Sequence, residues 1–327
     1  MRSDEELEGP SVTTIFAQRW RRIRASPILP VPEPRQRTAG WPPSRSGSCP
    51  ICSVGLYTPS AMVTSTFTKL LGPGDPCPFE VFGPDSGSRF LVLCDHASAA
   101  VPHRLADLGL DEAALSRHIA WDIGAKSLAR SLTRRLKATA IFSGYSRLVI
   151  DCNRDPSDPT SIAVLSDDVI VPGNKEIDAD GMAARANECF WPYHNAVRDH
   201  IDACLASGVI PALVSIHSFT PVYRRRPRPW HVGILWRADP RIPVPLLAAL
   251  RHEPDMLVGD NEPYSARSGH DYSIEVHGAR RGIPHVAIEV RQDLIDTDHG
   301  VEHWAATLER ALRPVLAKPD IYSIRHY

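Results

Sequence analysis

The chain has 327 residues, of which 43% are apolar, and a formal net charge of −1. This composition is ordinary for a globular protein, and a charge so close to zero provides no overall attraction to nucleic acid or to an anionic membrane. No apolar run reaches about 18 residues and no charged-then-apolar leader opens the chain, so we expect a cytoplasmic protein without a transmembrane helix.

Residues 1–80 differ in composition from the rest of the chain. Segments rich in proline, serine and glycine, such as 27–34 and 41–48, alternate with little sustained apolar periodicity. Such a composition buries too little apolar surface to offset the loss of chain entropy, which predicts a disordered N-terminal extension over 1–80. Within it, Cys49 and Cys52 form a CxxC pair that is either two cysteines of a loose segment or part of a metal or redox site. The seven cysteines of the chain are odd in number and scattered, which argues against a disulfide framework.

From about residue 81 the sequence alternates between apolar runs and amphipathic stretches. In chain order, we predict a strand at 89–94, a helix at 111–137 capped by Asp111, one or two strands at 139–151, a helix at 179–206, strands at 212–216 and 231–236, a helix at 244–251, strands at 256–258 and 284–290, and a helix at 301–316. Strands interleaved with helices predict an α/β fold with a mixed, mainly parallel sheet covered by helices on both faces. We place this single domain at 81–320, followed by a tail at 321–327.

Three of the predicted strands end in side chains that can carry chemistry, namely His96, His217 and Glu289. In α/β sheets, ligand sites gather at the carboxyl ends of strands. Each residue alone is explained as a hydrogen-bonded core residue, but the three together favour a shared site. Two histidines and a carboxylate, with water as the fourth ligand, are typical of catalytic zinc, and a further carboxylate can act as general base. Asp122 is either the third ligand or the N-cap of the helix that follows.

A second polar cluster surrounds the predicted strand that ends near Asp151. Arg147 precedes this strand, and Asn153 and Arg154 follow it. A guanidinium group beside an amide suits the recognition of a carboxylate, so an acidic substrate is one interpretation. The alternative is that Arg154 pairs with Asp151 or Asp155 and holds a loop.

Six short blocks, in this order, resemble the N-formylglutamate amidohydrolase family. They are CDHAS at 94–98, WDIGA at 121–125, YSRLVIDCNR at 145–154, WPYH at 191–194, IHSFTP at 216–221 and IEVRQD at 288–293. The resemblance spans about residues 85–317. It implies a phosphorylase/hydrolase-like α/β fold related to zinc exopeptidases, and a divalent metal, zinc. The implied reaction is hydrolysis of an N-acyl amino acid, such as N-formyl-L-glutamate to formate and L-glutamate.

The resemblance also implies roles for individual residues. His96 and His217 match the metal-ligand histidines, Glu289 matches the general base, and Asn153 with Arg154 resembles a pair that binds a substrate carboxylate. Related exopeptidases take a carboxylate ligand soon after the first histidine. Here Ala99 and Ala100 stand at that place, which leaves Asp122 as the third ligand. The expected partner is a small acidic N-acyl amino acid, not a nucleic acid or a membrane, and the sequence does not indicate the oligomeric state.

Three alternatives remain at this point. One is an enzyme of the same fold that hydrolyses another N-acyl amino acid or a peptide amide, because a fold does not fix a substrate. Another is a non-catalytic ligand-binding relative, although it would have little reason to keep His96, His217 and Glu289. A serine hydrolase using Ser98 or Ser218 is disfavoured because no strand–GxSxG–helix context occurs.

Overall fold

The folded unit Lys69–Tyr327 is built around a seven-stranded sheet. The computed structural model describes residues 69–83, 88–268 and 271–327. The described strands are, in chain order, β1 (Phe79–Phe82), β2 (Phe90–Cys94), β3 (Thr139–Ser143), β4 (Leu165–Ser166), β5 (Val169–Ile170), β6 (Ala212–Phe219), β7 (Val222–Tyr223), β8 (Arg226–Pro227), β9 (Val232–Leu235), β10 (Val258–Asp260) and β11 (His285–Arg291). The order in the large sheet is β1-β3-β2-β6-β11-β9-β10. β4 with β5 and β7 with β8 form two separate small hairpins.

The large sheet is mixed and mainly parallel, as predicted. β3, β2, β6 and β11 run parallel to one another, and β10 runs parallel to β9. Only β1 against β3 and β9 against β11 are antiparallel pairs within it. The carboxyl ends of the four central strands therefore lie at one edge, where ligand sites form in sheets of this kind.

Six α-helices belong to the described residues: α1 (Glu112–Leu115), α2 (Ala125–Leu136), α3 (Ala179–Arg185), α4 (Trp191–Ala206), α5 (Pro243–Arg251) and α6 (Asp298–Leu316). A π-helical turn, Ala186–Phe190, joins α3 directly to α4, so the predicted helix at 179–206 is continuous. The predicted single helix at 111–137 is wrong, because residues 116–124 leave the helical path between α1 and α2. Ile119 and Ala120 are buried within that loop. Their positions continue the helix-like spacing of apolar residues, which is why the sequence predicted one helix.

Helices cover both faces of the sheet. On one face, α2, α5 and α6 share a hydrophobic core with the strands; Leu128, Leu132 and Leu136 recur every four residues and point into it. On the other face, α4 contacts β1 and β3, and the π-helical turn Ile274–Gly278 contacts β6 and β11. Among the described helices we find none with the length and apolar character of a membrane span.

The two ends of the predicted domain also make contacts in the described residues. The backbone N–H groups of Leu70 and Leu71 donate to the Glu188 carboxylate at 2.6 and 2.9 Å. Because β1 also begins at Phe79, the folded unit includes residues upstream of the boundary predicted at 81. At the other end, Ile321 is buried and its carbonyl accepts from Arg241 Nη1 at 2.8 Å. The rest of the predicted extension, with Cys49 and Cys52, lies outside the described residues.

Candidate active site

Strand alternation and register bring His217 and Glu289 to the same side of the sheet. Side chains alternate between the two faces of a strand, and Ile216 and Ile288 belong to the core shared with α2, α5 and α6. Their neighbours His217 and Glu289 therefore point to the opposite face. The two residues are partners in the parallel register of β6 and β11. His96 joins them from the segment just beyond the carboxyl end of β2.

His96, Asp122 and His217 converge on one point. Each offers a ligand atom that lies within 4.8 Å of the other two, and all three side chains are buried. The Asp122 Oδ2 atom is 3.3 Å from His96 Nδ1 and 2.9 Å from His217 Nδ1. Two imidazole nitrogens and one carboxylate oxygen are the donor set of many catalytic zinc sites, so the residues fit such an ion.

The loop before α2 places Asp122 in this group. The Asp122 N–H donates to the His96 carbonyl at 3.0 Å, and the Ser218 N–H donates to Asp122 Oδ2 at 3.3 Å. Gly124, and not Asp122, is the N-cap of α2, and its φ of 78° lies in the left-handed region. A Cβ at Gly124 would lie 2.2 Å from the Ile295 carbonyl oxygen, so only glycine permits this path of the chain.

Two of the three residues, Asp122 and His217, carry strongly altered proton affinities. Burial would raise the pKa of Asp122, but the neighbouring His96 and Arg147 hold it well below its usual range. Burial would lower the pKa of His217, but hydrogen bonds to Asp122 and Asp95 hold it well above its usual value. The site therefore favours positive charge beside the Asp122 carboxylate, and a cation that binds there competes with protons on the histidines.

Glu289 lies at the edge of this group with an unsatisfied carboxylate oxygen. Its Oε2 atom is buried and has no hydrogen-bond partner among the described residues. Burial raises the pKa of Glu289 to about 7. A buried polar atom without a partner is rare in proteins and is often found where a ligand or water binds. A carboxyl group with this pKa can both accept and release a proton near neutral pH.

Arg147, Asn153 and Arg154 lie on the same cavity wall but make different contacts. Arg147 Nη2 lies 2.7 and 2.8 Å from the two ring nitrogens of His96, and Nη1 lies 3.4 Å from Asp122 Oδ1. The Asn153 amide donates to Asp271 Oδ1 and accepts from the Ser273 N–H, both at 3.0 Å. Arg154 Nη1 donates to the Asn153 carbonyl at 3.2 Å. Arg147 thus borders the candidate ligands themselves.

One cavity of about 550 Å³ contains all seven residues predicted from the sequence. Those that line it are His96, Asp122, Arg147, Asn153, Arg154, His217 and Glu289. Its outer part lies along the β4–β5 turn, with Leu165 and Asp167, and along Tyr223 and Arg224 of the β7–β8 hairpin. The structure therefore joins the two predicted clusters in a single cavity.

Several contacts in and around the cavity have no signal in the residue pattern. Asp95 and Asp151 contact the two histidines, although spacing alone gives them no role beyond a strand end and a loop ion pair. Tyr264, whose polar and glycine-containing surroundings in the sequence suggest a mobile loop, lines the cavity and receives a hydrogen bond from Arg228 at 3.0 Å. Arg228 belongs to an arginine-rich run that suggests an exposed loop, yet it is buried.

Known proteins resemble this chain in sequence and in fold. The family model described as N-formylglutamate amidohydrolase matches residues 88–296. The structure of a gene product of Agrobacterium tumefaciens is 33% identical and has a TM-score of 0.73, with a match that covers 76% of this chain and 98% of that chain. The N-formylglutamate amidohydrolase of Ralstonia eutropha is 18% identical with a TM-score of 0.57, covers 73% and 97% of the two chains, and supports the fold alone. None of the curated proteins matches the chain.

Proposed function

Because the chain belongs to the N-formylglutamate amidohydrolase family and is an amidohydrolase, we propose that it hydrolyses N-acyl amino acids with the help of a divalent metal ion. The ligands we propose are His96, Asp122 and His217. The observation that carries this proposal is the convergence of their three donor atoms within 4.8 Å of one another, in a cavity that also contains Glu289. We propose zinc as the ion, because two histidines and a carboxylate with one open position form a common catalytic zinc site.

The residues around the proposed ion have distinct chemical tasks. When bound, the ion lowers the pKa of a water molecule to about 7 and polarises the carbonyl of the scissile amide. Glu289 accepts the proton of the attacking water at its free carboxylate oxygen. It then delivers that proton to the nitrogen of the departing amine, as a general base that becomes a general acid. The burial of Glu289 supports this task because it brings the pKa close to neutral pH.

The substrate we propose is N-formyl-L-glutamate, which would yield formate and L-glutamate. Arg154 and Arg147 in the cavity support an acidic substrate, because a guanidinium group binds a carboxylate through two parallel hydrogen bonds. Arg154 is our candidate for the substrate carboxylate, because it lines the cavity and, with Asn153, resembles the pair that binds a substrate carboxylate in related enzymes. Asn153 would support Arg154 through its carbonyl, which accepts from Arg154 Nη1.

A second candidate is the hydrolysis of an N-acyl amino acid or peptide amide with a larger acyl part. The cavity of about 550 Å³ favours it, since volumes of roughly 300–1,000 Å³ accommodate ligands far larger than a formyl group. The two hairpins that border the outer cavity would then contact the additional atoms.

Metal content and product release in the full-length chain test these proposals together. The purified protein is analysed for bound metal, and formate release from N-formyl-L-glutamate is measured before chelation, after chelation and after zinc is added back. We expect about one zinc per chain and activity that follows the metal. Activity on larger N-acyl amino acids without formate release would favour the second candidate. Turnover that is unaffected by complete metal removal would overturn the metal-dependent mechanism.

A further inference from the structure

Each candidate histidine ligand faces a second carboxylate on its outer ring nitrogen. His96 Nε2 lies 2.7 Å from Asp151 Oδ1, and His217 Nε2 lies 3.1 Å from Asp95 Oδ2. The Nδ1 atoms of both rings face Asp122 instead, at 3.3 and 2.9 Å. The two histidines therefore share one arrangement toward the aspartates, with Nδ1 toward Asp122 and Nε2 toward a second carboxylate. They differ in that Arg147 Nη2 also lies 2.7 and 2.8 Å from the two ring nitrogens of His96.

This arrangement matters because a neutral imidazole carries its proton on only one nitrogen. A nitrogen that binds a metal must be free of its proton, so the proton has to reside on the other nitrogen. An acceptor on Nε2 stabilises the form with Nε2–H, fixes the ring orientation and makes Nδ1 a stronger donor to a cation. We propose that Asp95 and Asp151 are positioning residues that hold His217 and His96 in their metal-binding form, an inference that rests on the proposed metal site.

The surroundings of Asp95 hold its carboxylate in one orientation. Its Oδ1 atom accepts hydrogen bonds from the hydroxyls of Tyr193 and Ser273, and its Oδ2 atom accepts from Ser215 Oγ at 3.1 Å. These donors come from α4, from β6 and from the segment before the turn Ile274–Gly278. Asp95 is only 1% exposed, so this shell of neutral donors and His217 replaces water around a buried negative charge.

Asp151 performs the same task at the wall of the cavity. Its Oδ1 atom, which faces His96, also accepts from the Asn153 N–H at 2.8 Å, and its Oδ2 atom lies 3.5 Å from Arg147 Nε. Arg147 therefore links the two aspartates that flank His96, because its other end lies near Asp122. The orientation of Asp151 thus depends on a charged neighbour, Arg147, whereas that of Asp95 depends on buried hydroxyl groups.

The test measures metal affinity, which a residue that only stabilises the fold would not change. In the full-length chain, Asp95→Asn and Asp151→Asn keep the side-chain size but let an amide face the histidine. We expect zinc affinity, measured by competition with a coloured chelator, to fall about 10–100-fold in each variant. The control is Asp239→Asn, which removes a buried carboxylate paired with Arg241 at a separate place. It should lower thermal stability and leave zinc affinity unchanged.

A variant that perturbs Asp95 less strongly provides the test if Asp95→Asn does not fold. Tyr193→Phe removes one hydrogen bond to Asp95 and keeps the ring, and we expect a smaller loss of zinc affinity in the same direction. Wild-type affinity in folded Asp151→Asn together with Asp95→Asn or Tyr193→Phe would overturn the inference and leave the proposed function intact. A wild-type chain that binds no zinc would overturn the metal site itself, and the inference with it.

Discussion

Glu289 is the residue on which the proposed proton transfers depend. Its replacement by glutamine keeps the size of the side chain and removes the ability to accept a proton. We expect the kcat of Glu289→Gln to fall about 10²–10⁴-fold, the usual contribution of a general base, with bound metal retained. Steady-state kinetics together with metal analysis check this. Glu275→Gln, at a partly exposed surface ion pair with Arg237, is the control; a kcat within tenfold of wild type in Glu289→Gln would refute the assignment.

Arg154 is expected to determine the preference for acidic substrates. Replacement by alanine would remove a charged hydrogen-bond donor, worth about 1.5–3 kcal/mol, so the KM for N-formyl-L-glutamate should rise about 10–100-fold. The KM for a neutral N-formyl amino acid amide should change little, because that substrate has no carboxylate to lose contact with. Arg310→Ala, which removes an exposed partner of Glu253, controls for the loss of a positive charge. An equal rise for both substrates would contradict carboxylate recognition by Arg154.

The sequence predicts which residues share the cavity better than it predicts how they touch. Strand ends and short motifs point to His96, Asp122, His217 and Glu289, because chemistry at the edge of a parallel sheet leaves polar residues after apolar runs. The contacts of Asp95 could not be predicted in this way. Its hydroxyl partners Tyr193 and Ser273 lie 98 and 178 residues away in the chain, and no local spacing encodes such separations.

At the level of elements, the loop that carries Asp122 depends on one glycine. The helical periodicity of 111–137 is compatible with one long helix, and only the left-handed conformation of Gly124 at the start of α2 allows the chain to turn there. A pattern of apolar residues does not report backbone φ, so the break between α1 and α2 could not be derived from spacing. The strands that form the site were easier to predict, since short apolar runs continue through each of them.

Replacing Gly124 by alanine should therefore cost more than an ordinary glycine substitution. The left-handed conformation costs alanine about 1 kcal/mol, and the clash of Cβ with the Ile295 backbone adds about 1–3 kcal/mol. Gly208→Ala is a matched control, since Gly208 has a φ of 79° but nothing lies within 4 Å of the position that a Cβ would take. Urea unfolding should show a loss near 1 kcal/mol for the control and a clearly larger loss for Gly124→Ala. Equal losses would show that the clash is relieved.

At the scale of the whole molecule, the fold class follows from the alternation of strands and helices along the chain. Elements that are too short to show a repeating pattern of apolar residues could not be predicted from the sequence. β1 lies in a stretch whose composition suggests disorder, and the two hairpins at the outer cavity have strands of two residues each. These elements form because they pair with another strand, as β1 does with β3. Their own few residues show no periodicity from which a strand could be predicted.

The stability of the whole molecule also depends on two buried histidines behind the cavity. His194 Nε2 donates to the Cys152 carbonyl at 2.8 Å, and His194 Nδ1 lies 3.0 Å from His277 Nε2. His194 is therefore a packed residue of the long helix that is bonded to backbone. Burial lowers the pKa of His194 to about 4 and that of His277 to about 3. Both side chains are thus neutral in the folded protein down to acidic pH.

These shifts predict that the free energy of unfolding falls as the pH drops below about 6.5, the value for an unfolded histidine. In that range the unfolded chain binds protons that the folded chain excludes, so each histidine contributes a slope that approaches about 1.4 kcal/mol per pH unit. Burial also lowers the pKa of three further histidines that add to this slope, His118, His231 and His285.

Burial raises the pKa of Glu289 to about 7, which opposes the slope between about pH 4.5 and 7. The remaining groups of the site act outside this range. His96 and His217 have raised pKa values, so their stabilisation is fully present below about 6.5, and Asp95 and Asp151 lose theirs only below about 3.9.

Urea unfolding of chelator-treated protein between about pH 6.5 and 4.5 measures this slope directly. His277→Gln can still donate to His194 Nδ1 but cannot take up a proton, so its slope should be shallower by up to about 1.4 kcal/mol per pH unit. His252→Gln, a substitution at the exposed end of α5, is the control and should keep the wild-type slope. If His277→Gln also keeps it, the folded protein must admit a proton to this pair, and the pair is then less isolated from water than its burial indicates.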